Sequence, residues 1–236
     1  MVSDLLSTVV TLAGALVFGI KHALDADHLA AISTIASERR SVAGSSMIGA
    51  LWGLGHTAAL LIAGIAVIFC HVEIGERVAL GLEFGVALML IGLGAHALRT
   101  LAHGGHVHVH AHGDRAHVHV HPHTHAPHAT HDHHTIGVRP LLIGMVHGLA
   151  GSAALMLLVL STIPSPVVGL LYVAVFGIGS IGGMVGMSVL VSLPARLSAV
   201  GFTRTHLAVQ ALAALFSLGM GLFMAYEIGF ARGFLA

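Results

Sequence analysis

The sequence predicts an all-α polytopic membrane protein, with six transmembrane helices in two inverted three-helix repeats and a disordered histidine-rich loop. Three observations predict this fold class. Apolar residues make up 56% of the 236 residues and only 8% are charged, whereas a soluble domain carries about 25% charged residues. Six apolar stretches reach the roughly 20 residues that a bilayer crossing requires. Short motifs of the first half recur in the second half at nearly constant spacing.

Short polar or proline-containing breaks separate the predicted spans, apart from one long break after the third. The first stretch lacks a basic region and a cleavage site, so we expect a retained span rather than a signal peptide. Cys70 is the single cysteine, which excludes an intrachain disulfide. The predicted spans are residues 4–35, 41–70, 76–101, 136–163, 166–193 and 205–230.

Internal repetition divides the chain into residues 1–102, a loop 103–135 and residues 136–236. Three spans in each half give the two halves opposite senses, an inverted repeat typical of secondary transporters with a site near the midplane. The matches have offsets of 125, 124 and 127: Gly19 and His22 with Gly144 and His147, Gly55 and His56 with Gly179 and Ser180, and Glu83 and Gly94 with Gln210 and Gly221.

Arginines in the loops predict the orientation, since short cytoplasmic loops carry the excess of basic residues. Loops after even-numbered spans hold Arg77 alone. We therefore expect the N-terminus outside and the histidine-rich loop in the cytoplasm. The loops after odd-numbered spans hold Arg39, Arg40, Arg99, Arg115, Arg139, Arg196 and Arg204.

Residues 19–29 place four potential metal ligands in an apolar span: His22, Asp25, Asp27 and His28. On a continuous helix, at about 100° per residue, the two histidines share one face with Asp25, while Asp27 points elsewhere. Asp27 can join only if the helix bends or unwinds, as helices do at transporter sites. Imidazole and carboxylate suit Ni²⁺, Co²⁺, Zn²⁺ or Cu²⁺. The alternative is a polar network between helices or a satisfied pair at the membrane surface.

Other polar residues lie in or between the spans. His56 and His147 lie in the middle of spans. We expect them to bind metal or to support the ligands; the alternative is that they are core histidines bonded to backbone carbonyls. Three roles are open for Glu83: a proton-coupling carboxylate, a residue of the ion pathway, or a group at the membrane interface. Fourteen of the 21 histidines fall in residues 103–134. This segment is expected to collect, buffer or sense metal, or else to be a tolerated linker.

The sequence contains no phosphate-binding loop and no serine, histidine and acid set arranged for hydrolysis. We therefore predict a protein that is not an enzyme and has no prosthetic group. A net charge of zero with neutral histidines gives no indication of a nucleic-acid partner.

Residues 21–29 resemble the signature of the nickel/cobalt transporter family, a histidine, four residues and then Asp-His. Carried over, this motif falls on His22, Asp27 and His28. Residues 53–57 resemble the family's second motif, Gly-His-Ser/Thr. The resemblance implies transport of Ni²⁺ or Co²⁺ as substrate across the cytoplasmic membrane, with the lipid bilayer and nickel-enzyme maturation proteins as partners.

The chain departs from the usual family pattern at two places. It opens on the signature helix, whereas the usual family has eight spans and starts one span earlier. Residues 147–154 also lack the acidic residues of a later family motif. This pattern is similar to the shorter branch associated with urease operons. Three hypotheses follow: a permease importing Ni²⁺ or Co²⁺, an exporter with a histidine-rich collector, and a membrane metal buffer or metallochaperone that transports nothing.

Overall fold

The computed structural model describes the chain except for residues 1, 38–40, 71, 73–74, 104–105, 113–114, 122–137, 151–161, 164, 200–202 and 236. The described parts contain seven α-helices, a π-helical turn and an antiparallel β-hairpin. Their bounds are α1 Val2–His22, α2 Ala26–Ser37, α3 Val42–Cys70, α4 Glu76–Ala102, β1 His106–His112, β2 Arg115–His121, α5 Arg139–Gly148, α6 Pro166–Ala199, α7 Thr203–Tyr226 and the π-helical turn Glu227–Ala231.

Five helices of the described chain are long and apolar enough to cross a membrane: α1, α3, α4, α6 and α7. The predictions of helices for the second, third, fifth and sixth spans are confirmed, with ends within a few residues except at the end of α6. Of the fourth predicted span, 136–163, the described part contains α5. Residues 151–161, which make up much of the rest of it, lie outside the described residues.

The first predicted span, 4–35, contains a break, which is the alternative that would admit Asp27 to the site. Helix α1 ends at His22 and α2 begins at Ala26. The backbone tightens between them: the N–H groups of Leu24 and Asp25 donate to carbonyls three residues back, at 2.9 and 3.0 Å. The side chain of Asp27 then accepts a hydrogen bond from the His28 N–H. Such bonds between a short acidic side chain and nearby backbone compete with a continuous helix.

The crossings of the helices show their relative directions. Gly19 of α1 faces the α6 backbone at Phe176 and Ser180, and Gly183 of α6 faces Ile20 of α1, so these two helices run parallel. Helices α3 and α5 also run parallel, because Trp52 faces Gly144 and His56 faces Gly148. Helices α4 and α7 run antiparallel, since Gly94 faces residues 214–218 and Gly221 faces residues 87–91.

Glycines make these crossings possible. A Cβ at any of six glycines would collide with the backbone of the facing helix, so the helices approach as closely as small residues allow. The contacts correspond in pairs at the offsets found in the sequence. Gly19 contacts the Phe176 carbonyl, and its repeat partner Gly144 contacts the Trp52 carbonyl. The other two pairs of contacts are Gly179 with the Leu16 carbonyl and Gly55 with the Leu141 carbonyl, and Gly94 with the Ala214 carbonyl and Gly221 with the Ala87 carbonyl.

Where the structure describes the histidine-rich loop, the chain forms two strands rather than the predicted disordered segment. Strands β1 and β2 pair antiparallel, with His106, His108 and His110 in register with His121, His119 and His117. The physical reason is the alternation of histidine with valine or alanine along both strands, which matches the two-residue period of a strand. Residues 122–137 of the loop lie outside the described residues.

A buried apolar cluster packs against one side of the break between α1 and α2. It includes Ala23, Ala30, Trp52, Val86 and Met184, from helices α2, α3, α4 and α6 and the break itself. Large apolar side chains elsewhere are exposed along α1, α6 and α7. An exterior of this kind is what a lipid environment favours. The buried side of the break therefore lies within an apolar shell, whereas Leu24 and Asp25 are exposed.

Candidate metal centre

Four histidines and one aspartate converge where α1 breaks. His22 ends α1, His28 lies in α2, His56 is in the middle of α3, and His147 lies one residue before the end of α5. The ring centroids of His22 and His28 are 4.4 Å apart, and those of His28 and His147 are 4.1 Å apart. His28, His56 and His147 are buried. The structure thus brings together five of the six residues that the sequence proposed as ligands.

The two aspartates of the motif occupy different places. Asp25 Oδ2 lies 2.8 Å from His22 Nδ1, with 51% of the Asp25 side chain exposed. Asp27 is 26% exposed, with Oδ1 3.0 Å from His28 Nδ1 and Oδ2 2.9 Å from His147 Nε2. The break in the helix turns Asp27 toward the cluster, which a continuous helix would not do. Asp25 lies at its edge.

The carboxylates select the tautomers of the imidazoles. An ionised carboxylate only accepts hydrogen bonds, so the ring nitrogens that face it carry the protons. His22 and His28 therefore present an unprotonated Nε2, and His147 presents Nδ1. Carboxylates hold metal-binding histidines in this way in many metal sites.

The remaining ring nitrogens of the cluster have no partner among the described residues: Nε2 of His22, Nε2 of His28, both nitrogens of His56 and Nδ1 of His147. A buried polar atom without a hydrogen bond costs about 1–3 kcal/mol. Five such atoms in one place are unfavourable unless a bound group satisfies them. Unprotonated imidazole nitrogens in an apolar shell have the chemistry to bind a transition-metal ion.

Two sets of three side chains have ligand atoms within 4.8 Å of one another. One consists of His22, His28 and His56, and the other of Asp27, His28 and His147. We call them the inner set and the outer set. His28 belongs to both, so an ion could pass from one set to the other while it keeps this ligand. Asp25 belongs to neither set.

A cavity of about 210 Å³ lies beside the cluster. It is large enough for a metal ion with several water molecules. His56 does not line the cavity, so it lies behind His22 and His28, the other two members of the inner set. The lining residues are His22, Asp27, His28, Glu83, Val86, His147, Ala150 and Met224.

Comparison with known proteins gives two relatives. The urease accessory protein UreH of Bacillus sp. (strain TB-90) is 37% identical over 217 residues, 92% of this chain and 91% of that protein. The chain belongs to the UreH family. This confirms the resemblance to the shorter, urease-associated branch of the nickel/cobalt transporters.

A more distant relative of this UreH family member is the chloroplast protein FOR GROWTH AND FERTILITY 2 of Arabidopsis thaliana. It is 27% identical over 175 residues, 70% of this chain and 42% of the plant protein. No family model matches the chain, and no solved structure matches it. Membership of this family and the five long apolar helices together indicate that the chain is a multi-pass membrane protein.

Sequence reasoning missed several residues of the site in this UreH family member. The Trp52 ring lies 5.4 Å from that of His28 and 5.6 Å from that of His147. Its position four residues before His56, on the same helix face, was a signal that could have found it. Met224 and Val86 line the cavity without any polar signal in the sequence. Glu83, whose role was open, also lines the cavity.

Proposed function

We propose that this UreH family member is a permease of the cytoplasmic membrane that imports Ni²⁺, with Co²⁺ as a second cargo. The observation that carries the proposal is the sharing of His28 by two metal-capable sets of side chains within an apolar shell. Transport requires sites that bind an ion well enough to accept it and weakly enough to pass it on. Two overlapping sets meet that requirement better than one closed cage.

The ligand chemistry supports nickel or cobalt as cargo. The two sets offer imidazole nitrogen and one carboxylate, without thiolate, which suits Ni²⁺ and Co²⁺. Zn²⁺ and Cu²⁺ accept the same ligands, so the choice of nickel rests on the resemblance and on the urease accessory name of the Bacillus relative. We expect nickel-enzyme maturation proteins to receive the imported ion.

We propose that the fold consists of two inverted three-helix repeats, residues 1–102 and 136–236. The paired glycine contacts support this, because each contact between the two halves has a counterpart at the expected offset. The helix directions support a sixth membrane span: α5 runs parallel to α3, whereas α6 runs antiparallel to α3. We therefore expect the fourth predicted span, 136–163, to cross the membrane in the direction of α5. Inverted repeats place the substrate site near the midplane.

We place the N-terminus outside and the histidine-rich loop, residues 103–135, in the cytoplasm, because the loops after odd-numbered spans are the arginine-rich ones. In this orientation the membrane potential favours import: two charges moved inward gain about 4.6 kcal/mol per 100 mV. The loop would receive imported ions, with weak and rapidly exchanging histidine ligands.

Uptake of radiolabelled nickel into cells that express the chain tests the proposal. Expressing cells should accumulate more nickel than control cells, and His28→Ala should remove the difference while the protein remains in the membrane. Lower accumulation than in control cells would indicate export. Accumulation that persists in His28→Ala but disappears on deletion of residues 103–134 would indicate a metal buffer.

A further inference from the structure

The cavity beside the metal-capable sets contains a second carboxylate, Glu83, which the motif does not include. Its side chain is 16% exposed and forms an ion pair with Arg232, whose side chain is 44% exposed. Glu83 lies in the first third of α4, and Arg232 follows α7. These two helices run antiparallel, so the pair lies at the end of the bundle where α4 begins and α7 ends.

Backbone hydrogen bonds tie the segment around Arg232 to the π-helical turn before it. The Arg232 N–H donates to the Glu227 carbonyl at 2.8 Å, and the Phe234 N–H donates to that of Ile228 at 3.2 Å. The Phe234 ring packs on Phe84, next to Glu83, with ring centroids 5.5 Å apart. The segment after α7 therefore folds back onto α4 and sets Arg232 on the outer side of Glu83.

Charge explains why this arrangement suits a path for cations. A carboxylate within a span is costly unless it is paired, and such residues typically mark ion pathways. Arg232 supplies one positive charge, whereas a divalent cation at the same distance gains twice the Coulomb energy. Because Glu83 lines the same cavity as Asp27, an ion released from Glu83 would next meet the outer set.

From this geometry we propose that Glu83 receives the divalent cation before Asp27 does, and that Arg232 occupies Glu83 until the cation displaces it. The inference rests on the proposed function, and it assigns the entrance of the path to the end where α4 begins. The pair acts as an electrostatic gate: the guanidinium occupies the carboxylate and blocks ions that bind too weakly to replace it.

Nickel uptake by three variants tests the gate, with Glu76→Gln and Arg77→Gln at the start of α4 as matched controls. Glu83→Gln should raise the apparent KM for nickel at least about tenfold, because a charged ligand is lost. Arg232→Gln should retain uptake and lower the apparent KM, because no cation competes for Glu83. The exchange Glu83→Arg with Arg232→Glu should lose uptake, because a guanidinium then lines the cavity.

The exchange separates a gate from a merely structural ion pair. A structural pair is restored when its charges are swapped, so wild-type uptake by the exchanged protein would overturn the proposal. An unchanged KM in Glu83→Gln would also overturn it, even if His28→Ala abolishes uptake and the permease function stands. If the wild-type protein moves no nickel, the gate and the permease fail together. Immunoblots of membranes show that each variant is present.

Discussion

Asp27 and His147 are 120 residues apart in the sequence, and Asp27 Oδ2 lies 2.9 Å from His147 Nε2. This contact joins α2 to α5 and closes the outer set. It exists because α1 ends at His22 and the chain re-enters a helix only at Ala26. The same carboxylate reaches His28 through its other oxygen, so one aspartate orients two histidines from two different helices.

The two aspartates of the motif should differ in their importance. Asp27→Asn should abolish nickel uptake, because it removes a candidate ligand and the acceptor of two imidazole N–H groups. Asp25→Asn should weaken uptake by about tenfold, the cost of losing a carboxylate that only orients a ligand. Initial uptake rates over a range of nickel concentrations measure both. Both proteins should reach the membrane in wild-type amounts. Normal uptake by Asp27→Asn would contradict the assignment.

Nickel binding should depend on His28 more than on any other histidine. His28→Ala removes a ligand from both sets, whereas His56→Ala and His147→Ala each leave one set complete. Equilibrium dialysis of the purified protein in detergent should therefore show retained, weaker binding in the latter two and its loss in the first. Residues 103–134 are deleted in all samples so that the loop does not contribute. Equal losses in all three variants would indicate a single joint site.

The close helix crossings predict that the effect of a glycine-to-alanine substitution on stability depends on whether the glycine lies at a crossing. Gly179→Ala should destabilise the protein by about 1–3 kcal/mol, because its Cβ would collide with the Leu16 carbonyl. Gly182→Ala, one turn later in α6, is the matched control: nothing described lies within 4 Å of its added Cβ. It should leave stability unchanged or raise it by up to about 1 kcal/mol. Thermal unfolding in detergent compares them, and equal melting temperatures would contradict the crossing.

Deleting residues 103–134 should separate metal collection from transport. The deletion removes fourteen of the 21 histidines and none of the residues in the two sets. We expect nickel uptake to persist, while the nickel bound per purified protein falls several-fold, since dispersed histidines bind divalent metals weakly. Uptake assays and metal analysis of the purified protein give the two values. Complete loss of uptake by a protein still present in the membrane would assign the loop to the transport path itself.

Hydropathy and local motifs determined much of this protein from the sequence alone. Length and apolar composition of the stretches decide whether a helix can span a bilayer, and they located α3, α4, α6 and α7. The spacing of His22, Asp27 and His28 pointed to the family, and the recurring glycines marked the places where helices cross. The His-Val alternation of the loop held a strand signal as well, which a reading of composition alone did not use.

Tertiary packing decided which of these residues meet. A helical-wheel argument places Asp25 with the histidines, and Asp25 does contact His22. The break after His22 also turns Asp27 toward His147, where its two carboxylate oxygens accept hydrogen bonds from two imidazoles and a backbone N–H. Trp52 joins the cluster, and Glu83 joins Arg232, through contacts between helices that are distant in sequence. Periodicity describes one helix at a time, whereas these contacts depend on where two helices cross.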